Sequence, residues 1–296
     1  MDLQDIFPCE RIIDAKELSP GYDSHASDVW HIKTEKREVV IRASKIREGN
    51  VKRATSFFKS LYILFGIDPS NVFALESVNN TLNSLNAFVY PKIFEKRKID
   101  REYIVVEFLR GSTLGSFIGL SDNELGKFGG NLAKIHGRKM DYFGNPAGTF
   151  KIEAKNVNSH IIRSMKEIVN EFYSGNRKII DYLPQMERIL LDMPAWEHLS
   201  FVLVDIDPSQ FLADNGSITG LVDTEAYVIA PRELDFIALE YVLDKRSAEL
   251  ISDGYKNVLP MPDLNPVRTV CRYLYRLIDI QGIEDIDEWF LQPALF

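Results

Sequence analysis

One segment constrains this chain more than any other, because acidic residues interrupt two strongly apolar runs within it. The segment spans residues 201–225 and reads FVLVDIDPSQFLADNGSITGLVDTE. Asp205 ends the first apolar run, and Asp223 ends the second. An unpaired carboxylate is costly to bury. The acidic residues must therefore lie in turns, at strand ends or around a cation.

The runs QFLAD and SITGLVD flank the turn sequence Asp214-Asn215-Gly216 and predict a β-hairpin. We interpret Asp214 as a turn residue. Asp205 and Asp223, taken singly, are equally consistent with turn roles. Taken together, at the ends of neighbouring strands, they match the needs of magnesium-assisted phosphoryl transfer. One carboxylate orients or deprotonates the attacking hydroxyl and the other holds the magnesium ion.

Two further carboxylates in the same segment leave alternatives open. Asp207 stands close to Asp205, and two neighbouring carboxylates raise one pKa unless a cation or donor intervenes. Asp207 therefore either points away or adds to a metal site. Glu225 is either a turn residue or part of the metal and substrate environment.

The first hundred or so residues are strand-rich. Apolar runs at 29–32 and 39–41 flank a polar turn and predict a hairpin, and AFVYPKIF and EYIVVEFL predict a second one. Between the hairpins, apolar positions at helical spacing predict a helix over 51–65. The Asn- and Ser-rich stretch 66–87 predicts a loop with a short element inside.

Helical patterns dominate after Arg110. Ser121 and Glu124 form a capping-box sequence before one helix, and apolar periodicity predicts helices at 158–173, 178–193, 233–243 and 266–280. We predict an α+β protein with a β-rich lobe at 1–108 and a helical lobe at 109–296. The cleft between two such lobes is the default ligand site.

Composition narrows the function classes. The chain has 296 residues, 45% of them hydrophobic, and a formal charge of −8, which argues against general affinity for nucleic acid or anionic lipid. No apolar run reaches the roughly 18 residues that span a bilayer, so we predict no membrane partner and a cytoplasmic location. Cys9 and Cys271 lie far apart without a metal-binding pattern, and we interpret both as free thiols.

The segment LVDIDPSQFLADNGSITGLVDTEAYVIAPRELDF resembles the catalytic segment of the aminoglycoside phosphotransferase family, which shares the two-lobed fold of protein kinases. That family's pattern is His-Gly-Asp, four residues, Asn, a hairpin and Asp-x-Glu. The resemblance implies that Asp205 is the catalytic aspartate and that Gln210 and Asp223 bind the metal. It also implies that Asp235, in PRELDF, braces the catalytic loop.

The resemblance extends over most of the chain. GYDSHASDVWHIKT is similar to the hairpin above the nucleotide, which makes Ser24 a phosphate contact, and VVIRAS is similar to the strand whose basic residue, here Arg42, contacts phosphate. ELGKFGGNLAKIHG is similar to a family helix in which the histidine, here His136, is structural. YIVVEFLRGSTL is similar to the strand and hinge that receive the nucleotide base, which implies base contacts by Val106, Glu107, Phe108 and Leu109.

Four positions depart from the family pattern. Leu203-Val204 replaces His-Gly, and Gln210 replaces Asn with a stem one methylene longer. Arg42 replaces lysine, which keeps the charge but changes its geometry. Ala54 stands where the family has a glutamate partner for that lysine, so the usual ion pair is expected to be absent, with Glu48 as a weak substitute.

The resemblance implies an ATP- or GTP-dependent, Mg²⁺-requiring phosphotransferase that acts on a hydroxyl of a small molecule. The four departures motivate an alternative, a pseudokinase-like protein that binds nucleotide or regulates without efficient catalysis. The sequence indicates neither the substrate nor the oligomeric state.

Overall fold

The computed structural model describes residues 2–18, 27–46, 55–280 and 282–296. Within these ranges, five strands form an antiparallel sheet in the order β1-β2-β3-β5-β4. The hairpin of β2 and β3 confirms the first predicted hairpin. Strands β4 and β5 form the second, although β4 covers only the last two residues of AFVYPKIF and continues to Lys98. The strands are β1 (Ile12–Glu17), β2 (Ser27–Thr34), β3 (Glu38–Ser44), β4 (Ile93–Lys98) and β5 (Glu102–Glu107).

Alternation along the strands gives this sheet two apolar faces. One face packs under a short 3₁₀ helix, Leu3–Ile6, and forms a small core with Ile32, Ile41 and Val105. On the opposite face, Val106 packs against Val72. The same opposite face carries the side chain of Arg42, because residues 40 and 42 alternate with 41.

In the described residues between β3 and β4 lie two α-helices. The first, α1 (Ser56–Phe65), confirms the helix predicted there, although residues 47–54 lie outside the described part of the chain. The second, α2 (Leu75–Ser84), occupies the stretch predicted to be a loop with a short element. Its side chains Asn79 and Asn83 hydrogen-bond to the backbone at Pro91 and Tyr90. These tertiary partners outweigh the low helix propensity of asparagine.

The remainder of the chain is mainly helical, as predicted. Helices α3, α4, α5, α6 and α8 fall on predicted segments, whereas α7 and α9 lie on stretches where no helix was predicted. The helices are α3 (Asp122–His136), α4 (Val157–Phe172), α5 (Arg177–Asp192), α6 (Glu233–Leu239), α7 (Lys245–Lys256), α8 (Arg268–Ile278) and α9 (Ile286–Leu291). None of the described helices is both long and apolar enough to cross a bilayer.

Helices α3 and α7 approach each other so closely that side chains are excluded at the contact. A Cβ atom on Gly129 would lie 2.0 Å from the carbonyl oxygen of Ile251, and one on Gly254 would lie 1.9 Å from that of Gly126. Glycine is therefore required at both positions, and the contact fixes the position of α3, which carries His136.

Two small sheets complete the fold in the described residues, with strand orders β11-β10-β6 and β8-β7-β12-β9. The first contains the hairpin predicted around Asp214, whose turn residues Asn215 and Gly216 have φ angles of 50° and 78°. The strands are β6 (Ser112–Thr113), β7 (Tyr142–Gly144), β8 (Lys151–Glu153), β9 (Leu199–Leu203), β10 (Phe211–Asp214), β11 (Ser217–Leu221) and β12 (Tyr227–Pro231).

Candidate active site

The catalytic-loop candidate connects β9 to β10. Asp205 follows the end of β9, and a 3₁₀ turn, Pro208–Gln210, leads into β10. The Gln210 amide donates its Nε2–H to Oδ2 of Asp205 at 3.1 Å. Asp207 caps the turn, because its Oδ1 accepts from the backbone N–H of Ser209 at 2.8 Å and from the Ser209 hydroxyl at 2.5 Å. One oxygen of Asp207 thus closes the turn.

Asp223 lies beside this loop, just after β11. The backbone N–H of Val222 donates to the carbonyl oxygen of Gln210 at 3.0 Å and joins the two segments. This contact places Asp223 beside the loop that carries Asp205, although β9 and β11 belong to different sheets and are not the neighbouring strands that the spacing predicted. Asp214, at the far end of the hairpin, is exposed and serves the turn.

Arg42 on β3 reaches the same place from the N-terminal sheet. Its Nη2 lies 3.0 Å from Oδ1 of Asp223, and its Nε lies 2.8 Å from Oε1 of Glu225. The hydroxyl of Ser27 on β2 also donates to Oε1 of Glu225 at 2.7 Å. Glu225 is therefore an ion-pair partner of Arg42, for which sequence reasoning expected only that the usual helix glutamate would be absent. Ala54, at the usual glutamate position, and Glu48, the suggested substitute, lie outside the described residues.

The ionisable side chains of the site differ in how their surroundings shift their pKa values. Burial, with smaller contributions from Asp223 and Asp207, raises the pKa of Asp205 to about 7, while the hydrogen bond from Gln210 lowers it. Burial alone lowers the pKa of Arg42, but Asp223 and Glu225 outweigh burial and raise it, so the guanidinium stays charged. Burial raises the pKa of Glu225, against the opposing effect of Arg42. Asp205 is thus the acidic residue whose proton affinity suits a base near neutral pH.

Asp235, on α6, is fully buried. Its Oδ2 lies 3.0 Å from Nε2 of His136. Burial raises the pKa of Asp235, whereas His136 and the nearby backbone of Leu203, at the end of β9, lower it. His136 is fully buried, and its Nδ1 lies 3.0 Å from the Tyr255 hydroxyl. Both ring nitrogens of His136 therefore have partners, as expected for the structural histidine that the resemblance implied.

The side chains of Leu203 and Val204, which replace the family's His-Gly, are buried and apolar. They cannot hydrogen-bond through their side chains. Contacts that hold this loop include the bond from Gln210 to Asp205, the Asp207 cap of the turn and the backbone bond from Val222 to Gln210.

The predicted base-binding residues follow the end of β5. Val106 is buried on the cleft side of the sheet, and the ring of Phe108 stacks on His31 with centroids 4.3 Å apart. Leu109 packs against Gly220 on β11 so closely that a Cβ atom on Gly220 would lie 2.8 Å from Cδ1 of Leu109. This segment therefore connects the N-terminal sheet to the hairpin that carries Asp223. Ser24, the predicted phosphate contact, lies outside the described residues.

The donor set fits a hard cation such as Mg²⁺. The Oε1 atom of Gln210 is buried and has no hydrogen-bond partner among the described residues. The second oxygen of Asp223 is likewise not used by Arg42, and amide and carboxylate oxygens are the ligands that Mg²⁺ prefers. The described residues contain no cluster of three or more His, Cys, Asp or Glu side chains arranged for a metal, so any site here has few protein ligands.

Sequence reasoning did not single out Asn79 and Thr224. The hydroxyl of Thr224 donates to Oδ1 of Asn79 at 2.7 Å, across 145 positions of sequence. No local pattern signals such a contact. A helical prediction for α2, available from the spacing of Leu75, Val78 and Leu82, would have been the first step toward it.

Comparison of the sequence with models of protein families and with curated proteins found no match. Comparison of the fold with solved structures found phosphotransferases. A spectinomycin phosphotransferase in complex with ADP and spectinomycin matches with a TM-score of 0.60 and 13% identity, over 94% of this chain and 84% of that chain.

Two further phosphotransferase structures also match the fold of this chain. The wild-type aminoglycoside 2′-phosphotransferase-IIIa in its GDP complex matches with a TM-score of 0.61 and 15% identity, over 97% of this chain and 93% of that one. A macrolide 2′-phosphotransferase from Brachybacterium faecium matches with a TM-score of 0.59 and 13% identity, over 95% and 93%. Likeness at this level of identity concerns the fold. The chain has the two-lobed, protein-kinase-like α+β fold of these phosphotransferases, as its sequence predicted.

Proposed function

We propose that this protein is an ATP- or GTP-dependent phosphotransferase that phosphorylates a hydroxyl of a small molecule. The observation that carries the proposal is the convergence of Asp205, Gln210, Asp223 and Arg42 between the N-terminal sheet and the β10–β11 hairpin. These side chains come from three separate segments and supply a base, oxygen ligands and a cation, which are the parts that phosphoryl transfer requires.

Each residue has a proposed role. Asp205 orients the acceptor hydroxyl and takes its proton, which its raised pKa favours. Arg42 contacts the phosphates, and 106–109 receive the base, with residues 1–108 as the nucleotide lobe and 109–296 as the substrate lobe. Gln210 and Asp223 would hold Mg²⁺, which supplies charge neutralisation at the phosphate oxygens when bound.

The fold neighbours support this reading without naming the acceptor. The spectinomycin enzyme was crystallised with ADP and its antibiotic, and the aminoglycoside enzyme with GDP. An acceptor of the same broad kind, a small polyhydroxylated molecule, is the first class to test.

The test is nucleotide consumption by the purified protein with Mg²⁺, using ATP and GTP against a panel of hydroxyl compounds that includes aminoglycosides, macrolides, amino alcohols and sugars. We expect turnover with at least one acceptor. The Asp205→Asn variant should lower it about 10²- to 10⁴-fold, the usual contribution of a general base. The exposed-turn variant Asp214→Asn is the matched control and should keep full turnover. Equal turnover in wild type and Asp205→Asn would refute the assigned role.

One observation favours the second candidate, a nucleotide-binding protein without efficient catalysis. Arg42 is already paired with Asp223 and Glu225, so its charge is engaged before any phosphate arrives. Thermal shift with ADP and GDP separates the candidates when combined with the turnover assay. A shift without turnover on any acceptor supports the second candidate, and turnover excludes it.

A further inference from the structure

Residues 223–225 present alternate side chains to opposite sides. Asp223 and Glu225 face Arg42, whereas Thr224 between them points to helix α2. Thr224 is only 3% exposed, and its partner Asn79 is 5% exposed. A hydroxyl buried at this depth needs a hydrogen-bond partner, so the position of Thr224 is tied to that of Asn79.

Asn79 is itself held by a second bond. Its Nδ2 donates to the carbonyl oxygen of Pro91 at 2.9 Å, while its Oδ1 accepts from Thr224 at 2.7 Å. Both ends of the amide are used, which fixes the plane and rotamer of the side chain. Asn79 therefore links α2, the chain before β4 and the 223–227 segment at one point.

A parallel bridge holds the other end of the segment. The hydroxyls of Tyr90 and Tyr227 lie 3.0 Å apart and are buried. Asn83, one turn after Asn79 on α2, accepts from the backbone N–H of Tyr90 at 3.0 Å and donates to its carbonyl oxygen at 3.0 Å. Helix α2 thus holds the segment on both sides of Glu225 by neutral hydrogen bonds.

We propose that Asn79 is a positioning residue that acts through Thr224 to set Asp223 and Glu225 against Arg42. The inference rests on the proposed function, because the quantity it controls is the geometry of the nucleotide and metal site. In this chain the basic residue on β3 takes its described ion-pair partners from 223–225. The helix contributes a neutral contact to the same segment.

The test measures Mg²⁺ dependence of nucleotide binding rather than turnover. ADP or GDP is held at a fixed concentration, Mg²⁺ is titrated, and the midpoint of the thermal shift is recorded. Thr224→Val keeps the shape of the side chain and removes its donor, and Asn79→Leu removes the acceptor. We expect each to raise the Mg²⁺ midpoint by about tenfold, the lower end of the effect of residues that orient ligands from outside the first shell.

Two comparisons separate positioning from simple stability. Because the two residues act as a pair, the double variant should raise the midpoint no further than either single variant. Asn79→Leu also leaves the buried carbonyl oxygen of Pro91 without its donor, whereas Thr224→Val keeps that bond, so Thr224→Val keeps the test available if Asn79→Leu does not fold. Thr224→Ser retains the hydroxyl and should restore the midpoint to within about threefold of wild type.

Thr81→Val on α2 is the matched control and should leave the midpoint unchanged. A purely structural role predicts lower melting temperatures for the variants without nucleotide but wild-type Mg²⁺ midpoints, and that result overturns the proposal. If wild-type protein shows no shift with either nucleotide at any Mg²⁺ concentration, the proposed function fails and this inference fails with it.

Discussion

Asp205 and Asp223 end neighbouring apolar runs, yet their surroundings differ. Asp205 is paired with the neutral amide of Gln210, and burial raises its pKa to about 7. Asp223 is paired with the guanidinium of Arg42, and its side chain is 43% exposed. A carboxylate in an apolar setting takes up protons, whereas one beside a cation stays ionised. Residue type and position at the end of an apolar run therefore leave the chemical role of a carboxylate open, and the group paired with the carboxylate decides it.

Removing the cation should break the comparison with the largest loss of stability. Arg42→Met leaves Asp223 and Glu225 together without a counter-charge. Loss of one member of a buried ion pair costs about 3 to 5 kcal/mol, and we expect about 3 because Asp223 is partly exposed. Chemical denaturation of the protein without nucleotide measures the change in the free energy of unfolding.

Arg37→Met is the matched control for this experiment. Arg37 also pairs with two carboxylates, Glu10 and Glu95, but its side chain is 29% exposed and lies away from the site. We expect a loss of roughly 1 kcal/mol there. Adding Glu225→Gln to Arg42→Met should recover part of the stability. Equal losses for the two arginine variants would contradict a special role for the cluster around Arg42.

The second experiment removes the titrating group. The folded-state pKa of Asp205 is about 7, above its ordinary value of 3.8, so the folded protein holds the extra proton between these values. Stability from this group is present below about pH 4 and is lost as pH rises to about 7. At about 1.4 kcal/mol per pKa unit, Asp205→Asn should stabilise the metal-free protein by up to about 4 kcal/mol at high pH.

Urea unfolding in EDTA at mildly acidic and at alkaline pH measures this difference. The gain from Asp205→Asn should be larger at the alkaline pH, whereas Asp214→Asn, in the exposed turn, should show the same small change at both. A gain that does not grow with pH would mean that Asp205 is ionised throughout.

The smallest expected effect comes from the amide. Gln210→Leu removes the donor that lowers the pKa of Asp205, so that pKa should rise by roughly one unit, equivalent to the net free energy of one hydrogen bond. Carboxyl ¹³C titration of aspartate-labelled protein measures it, with the Asp205 signal identified by its loss in Asp205→Asn. An unchanged pKa would show that Gln210 faces away from Asp205 in solution.

Much of the fold around the site was predictable because its signals are local. The turn at 214–216 and the alternation of β2 and β3 are short-range patterns, and the structure confirms the hairpins they predicted. The pairing of Arg42 with Glu225 was not predictable, because it joins positions far apart in the chain through packing that no local pattern encodes. Helix α2 was missed for a related reason, since its asparagines are stabilised by the backbone at 90–91.

The sequence by itself determined the α+β class, the presence of three hairpins and the placement of acidic residues at the ends of apolar runs, because turn chemistry and hydrophobic periodicity act over a few residues. Only the tertiary structure decided which carboxylate meets a cation and which is left with a neutral amide. Burial and long-range partners set those properties. Asp205, Asp223 and Glu225 are alike as acidic residues in the sequence and become different groups when Arg42, Gln210 and Asn79 pack around them.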